Sequence, residues 1–133
     1  MKFMLMMNAP RGDGDWDVKN WKVEELKAMV GFMKDLNQQL TSEGVLVGGA
    51  GLAPPAQARL VRASRVDQSP EVTDGPFAEG KEFLAGYWIV DVESPEQAYA
   101  IAARASVAPG PGSKPLYMAI EVREVPDGPP VEP

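Results

Sequence analysis

Residues 3–7, 87–92 and 116–122 carry apolar side chains at both odd and even positions. A strand sends successive side chains to opposite faces, so such strands are apolar on both sides and need cover on both. Only two segments read as helices that could supply it. In residues 21–43, Leu26, Met29, Val30, Met33, Leu36 and Leu40 recur at spacings of three and four and make one apolar stripe. Asn20 is placed to cap that helix, Glu24 and Glu25 suit its first turn, and Gly44 ends it as the residue past the C-cap. Ser94, Pro95 and Gln97 give a second helix start, with a cap, a proline at the first position and a capping-box residue; the helix runs to about Ala105. Two helices cover one face of a sheet. The other face needs a second copy of the chain, so the sequence predicts a homodimer, with a cleft on the open face or among loops at its rim.

The remaining segments fill in the order. Strands are expected at residues 2–8, 45–52, 57–63, 86–92 and 116–125. Gly48, Gly49 and Gly51 inside the second strand point to a bulge or a close backbone approach. Residues 11–20 read as a polar loop, 66–70 as a turn and 107–115, with three prolines, as a loop. Residues 71–73 and 79–83 read as two short hairpin arms flanking Asp74-Gly75-Pro76-Phe77. The order is β-α-β-β-(short hairpin)-β-α-β. That is the ferredoxin-like α+β class, an antiparallel sheet with two helices on one face, and of dimeric α+β barrel type once two copies pair. Residues 1–125 form one domain and 126–133 a disordered proline-rich tail.

Composition limits the chemistry. The chain has 133 residues and neither His nor Cys. That excludes a Ser-His-Asp triad, a Cys nucleophile, disulfides and thiolate metal sites. A metal would need an all-oxygen site; no metal or other cofactor is expected. With 13 Lys and Arg against 19 Asp and Glu, the net charge is −6, which argues against nonspecific nucleic-acid binding. Arg59, Arg62 and Arg65 form the one basic cluster and read as the solvated edge of a strand and loop. The apolar run 3–7 is too short for a signal-peptide core or a membrane span, so a cytoplasmic protein without a membrane partner is expected. The glycines of the second strand lack phosphate-loop spacing, and no helix follows them.

One run concentrates functional groups: Asp74-Gly75-Pro76-Phe77-Ala78-Glu79-Gly80-Lys81-Glu82. Asp74 can bond the backbone ahead of it, Gly75 relaxes the chain and Pro76 fixes φ, so the turn is well specified. Asp74 is a candidate base, anchor or metal ligand, or only the side chain that holds the turn. Lys81 could bind an anion or pair with Asp74, or be a solvated charge. Glu79 and Glu82 could join Asp74 in an oxygen-rich metal site, or point elsewhere. Phe77, Trp88 and Leu52 are candidate apolar walls for a small-molecule ligand, with core packing the alternative reading of the aromatics. Arg123 could face a cleft or be an edge charge.

The whole nine-residue run resembles the DGPFAETKE signature of the YCII-related, DGPF-domain family; Gly80 stands where Thr is usual. Lys2-Phe3-Met4-Leu5, Gly44-Val45-Leu46, Gly51-Leu52-Ala53-Pro54, the run from Gly86 to Val92 and Val122-Arg123-Glu124-Val125 are also similar to family patterns, so the resemblance spans residues 1–125. It implies a ferredoxin-like dimer. It implies no assigned reaction for most members, and for some a His–Asp pair in lyase chemistry, which a chain without His cannot use. It also implies an alternative role, as a noncatalytic accessory of an extracytoplasmic-function sigma factor in transcription initiation. Asp74 and Lys81 stand as candidate catalytic residues, and Leu52, Phe77, Trp88 and Arg123 as candidate ligand contacts.

Overall fold

The computed structural model describes residues 1–10, 20–63, 69–74 and 82–128. Six strands and two helices follow in the order β1 (Lys2–Pro10), α1 (Val23–Ser42), β2 (Leu46–Gly51), β3 (Arg59–Ala63), β4 (Pro70–Asp74), β5 (Glu82–Asp91), α2 (Pro95–Ser106) and β6 (Ile120–Val125). Four strands make one sheet in the order β2-β5-β1-β6, every neighbouring pair antiparallel. The helices thus link β1 to β2 and β5 to β6, each time with another strand or strands intervening, which is the split β-α-β plan of a ferredoxin-like fold. β3 and β4 form a separate two-stranded sheet.

The core lies between the sheet and the helices. Phe3 and Leu5 of β1, Trp88 and Val90 of β5 and Val92 pack with Leu36 and Leu40 of α1 and Ala98, Ile101, Ala102 and Ala105 of α2. Register fixes what the opposite face carries. Met4 pairs with Ile89 and Arg123, and Met6 with Tyr87 and Glu121. These neighbours of the buried row therefore share the face away from the helices. Met4, Met6, Tyr87 and Ile89 are half-buried there, while Glu121 and Arg123 on β6 are exposed. No helix among the described residues is long and apolar enough to cross a membrane.

The helix ends follow local chemistry. Ser94 caps α2, its Oγ accepting from the Gln97 N–H at 3.3 Å, and the Gln97 side chain accepts from the Glu93 N–H at 2.6 Å. Gly44 follows α1 with φ +76°. The other end of α1 differs from expectation: the helix begins at Val23 with Lys22, not Asn20, as its N-cap. Trp21 is buried, which anchors the chain just before the helix. The missing cap is supplied from inside, by the Glu25 carboxylate accepting from the Lys22 N–H at 2.8 Å. Glu25 also accepts from the Gly112 N–H at 2.6 Å, tying α1 to the proline-rich segment before β6. That segment closes on itself through a Pro109–Pro115 bridge and a 3-10 turn at Pro111–Ser113. It delays the last strand, which begins at Ile120 rather than residue 116.

The largest correction concerns the expected hairpin. The segment holding Glu71–Thr73 pairs back onto β3, in the register Arg59–Asp74, Val61–Val72 and Ala63–Pro70. Glu82 and Phe83 instead open β5 and pair with Pro10 and Ala9 of β1. Glu71 finds its partner close by, at Arg62 on the other side of the segment expected to turn, whereas Glu82 and Phe83 find theirs at the start of the chain, which local signals could not reveal. Residues 79–81 lie outside the described residues, as do residues 129–133 of the expected tail.

Two predictions follow from this packing. Leu40 is fully buried under the sheet, so Leu40→Ala should lower the unfolding free energy by about 2–5 kcal/mol in urea titration. The Gly112 and then the Lys22 N–H bonds hold the Glu25 carboxyl below its ordinary 4.5. A depressed folded-state value adds stability above the unfolded value, lost as pH falls through the folded one. Glu25→Gln should therefore lessen the loss of Tm on acidification below pH 4.5, with little change in its slope above neutrality.

Candidate functional site

Asp74 is the last residue of β4 and sits across from Arg59, the first of β3. Glu82 begins β5. Asp74 and Glu82 thus bracket residues 75–81, which lie outside the described residues, Phe77 and Lys81 among them. Beside these two ends lies an apolar cleft of about 380 Å³. Leu52, Pro54 and Pro55 line one side, Ala58 lies next to Arg59, and Phe83 and Leu84 follow Glu82. Pro55 opens a short 3-10 turn, Pro55–Gln57, which carries the chain from β2 around to β3. The Leu52 N–H bonds the Ala85 carbonyl at 2.9 Å, fixing Leu52 at the mouth of the cleft. Leu52 thus shares the cleft with Ala58, the residue before the Arg59 that pairs with Asp74, and with Phe83, the residue after Glu82.

Trp88 and Arg123 lie elsewhere. Trp88 sits in β5 on the helix-facing side, 6% exposed, and its indole N–H donates to Asn37 Oδ1 of α1 at 2.7 Å. It walls a second cavity, of about 190 Å³, between α1 and the β2–β5 seam. Arg123 is on β6, exposed on the opposite face of the sheet beside Met4. On that same face the Asn8 amide donates to Glu121 Oε1 at 3.1 Å.

The seam between β2 and β5 owes its shape to glycine. A Cβ on Gly49 would stand 2.6 Å from the Tyr87 carbonyl oxygen, and one on Gly86 would stand 3.0 Å from that of Ala50. The strands can approach this closely only because those side chains are missing. The register between them shifts from Leu46 to Gly48, the bulge expected of a glycine-rich strand. The sequence reading missed Asn37. Its signal was an amide, a weak helix former, one turn from Met33 and next to the apolar Leu36.

Electrostatically the described part of the site is plain. Buried polar or charged side chains are absent among the described residues. Nor do three of their carboxylates come together to hold a metal; of the oxygen-rich trio considered above, Glu79 lies outside the described residues. The arrangement can enclose apolar surface in two places, and the strand position of Asp74 pairs with Arg59, which follows Ala58 of one of them.

No curated protein matches the chain. The model of the YCII-related domain does, over residues 1–125, which takes in both cavities and the whole signature run; the chain belongs to the YCII-related family.

Proposed function

We propose that the protein binds a small organic molecule in the cleft at the ends of its signature run, and does so as a homodimer. The observation that carries this reading is the position of that run. Asp74 and Glu82, its first and last residues, stand beside an apolar cleft of about 380 Å³, within the usual size range of small-ligand sites. In this reading Leu52 and Phe77 wall the ligand, Lys81 takes an anionic group and Asp74 anchors a hydroxyl or removes a proton. A base role requires burial to lift the Asp74 carboxyl toward neutral pH, because the chain has no His to do the work. Arg123 lies apart from this cleft, at the rim of the open face, and Trp88 behind it.

The dimer is supported by the uncovered side of the sheet. Met4, Met6, Tyr87 and Ile89 make an apolar strip across β1 and β5 with no helix over it. A two-fold packing of sheet on sheet would bury that strip against itself and place Arg123 and Glu121 at the margin.

Two measurements test these readings separately. Sedimentation should give twice the 14.3 kDa chain mass at micromolar concentration, and Ile89→Glu should give the single-chain mass with unchanged circular dichroism. A wild-type chain that sediments as a monomer would end the dimer reading. Small hydroxy acids, with a carboxylate for Lys81 and a hydroxyl for Asp74, should raise the Tm of the wild-type chain by mass action. Asp74→Ala should fold and lose that shift. If Asp74→Ala keeps the shift and merely costs about 0.5–3 kcal/mol, Asp74 only holds its turn and the ligand reading loses its anchor. A sigma factor captured with the protein, together with no shift from any hydroxy acid, would replace it with the regulatory role.

A further inference from the structure

Two glycines of the β2–β5 seam, Gly48 and Gly51, have no steric reason to be there, and Gly51 is the one that borders on a cavity. Gly49 and Gly86 are demanded by close approach, but a Cβ on Gly51 would meet nothing within 4 Å and its φ is not in the left-handed region. Gly inside a strand weakens it, because its backbone loses more freedom on folding and no side chain packs. Gly51 pairs with Gly86, two residues along from the Gly49–Trp88 pair, so a side chain there would point to the helix side of the sheet. That is the side of the cavity walled by Trp88, Met33, Met7 and Leu46, which Gly51 also lines. The missing side chain keeps the cavity open.

The cavity has one fixed polar group. An indole N–H can only donate, so the oxygen of the Asn37 amide must face Trp88. The amide nitrogen then points away from the indole, and no described residue accepts a hydrogen bond from it. Thioether sulfurs from Met7 and Met33 and the Trp88 ring favour an aromatic occupant, and the glycine backbone of the seam offers a flat floor. Asn37, Gly49, Ala50 and Gly51 are exposed, so the hollow opens to solvent on one side, and its volume of about 190 Å³ has room for a single ring with a short substituent, benzene filling a cavity of about 150 Å³.

We propose that this cavity is a second binding site, selective for a planar single-ring molecule that carries one hydrogen-bond acceptor. Trp88 and Met33 hold the ring, the Asn37 amide nitrogen donates to the acceptor, and Gly51 leaves the space. The cavity shares no lining residue with the signature cleft, and the site stands independently of any ligand there.

Acetophenone and ethylbenzene test this, because they have nearly the same shape and only the first has an acceptor. Both are titrated into the full-length protein while amide and indole resonances are followed by NMR. Acetophenone should shift the Trp88 indole N–H and the Gly51 and Gly86 amides, and bind about three- to tenfold more tightly than ethylbenzene, the factor one neutral hydrogen bond supplies. Asn37→Asp keeps an oxygen for the indole and removes the amide donor, so it should bring acetophenone down to the level of ethylbenzene. Gly51→Leu should fill the cavity and weaken both probes more than tenfold without lowering Tm. Equal binding of the two probes to the wild type would overturn the role of Asn37. Unchanged binding in a folded Gly51→Leu protein, or shifts that spare Trp88, would overturn the site.

Discussion

β1 and β5 lie side by side as the inner strands of the sheet although about eighty residues separate them, and the pairing runs from Lys2–Asp91 to Pro10–Glu82 with one register shift between Met7 and Asn8. Phe3 and Leu5 on one strand and Trp88 and Val90 on the other form the floor on which both helices settle. The outer strands are then determined. β2 can join only the free side of β5 and β6 only the free side of β1, which is the order observed. The N-terminus is fastened to the same arrangement, with the Met1 amino group donating to the Val92 carbonyl at 2.8 Å. Folding must close this long loop before the pairing rewards it, so mutations along the β1–β5 line are the ones expected to slow folding as well as weaken it.

The β1–β5 pairing also explains why the two hollows lie along β5. Its outer neighbour β2 is an edge strand that carries Gly48, Gly49 and Gly51, and β5 itself carries Gly86 opposite them. Glycine on both strands draws them together at Gly49 and Gly86 and leaves room beside Trp88. Farther along, the same seam ends at Leu52, where Pro54 and Pro55 turn the chain away and open the signature cleft. Side chains omitted along the seam shape the first hollow, and the prolines after it shape the second, on a domain otherwise packed tightly by Leu5, Leu40 and Val90.

The long periodic elements were legible because their signals are local. The stripe from Leu26 to Leu40 gave α1, and Ser94-Pro95 with Gln97 gave α2 with its cap. Apolar residues on alternate faces gave β1 and β5 and the need to cover both sides of the sheet. What failed was pairing and exact ends. The turn expected at residues 66–70 stands between Arg62 and Glu71, yet the arm reads locally as the partner of residues 79–83 instead; nothing near Glu82 says that it lies across from Pro10. The start of α1 was misplaced because a buried Trp21 and a carboxylate three residues inside the helix outweighed a good capping residue. For the site, the signature run was visible as a sequence, and Leu52 lines a cleft together with Ala58 and Phe83. Asn37 was invisible because its role depends on an indole 51 residues away.

The absence of His and Cys bears on what such a surface can do. At neutral pH, proton transfer by this chain falls to carboxylates and amines whose values must be shifted toward 7 by burial or neighbours. The described body of the domain holds no buried charged side chain, and Glu25, a carboxyl that does shift, moves down because two backbone N–H groups stabilise its ionised form. Those bonds make Glu25 a better clamp and a poorer base. The body therefore contributes shape, apolar surface and a few oriented donors, the properties of a binding site. In the proposed reading Asp74 and Lys81 take any acid–base step, and Leu52 with the other cleft-lining residues meets the rest of the ligand.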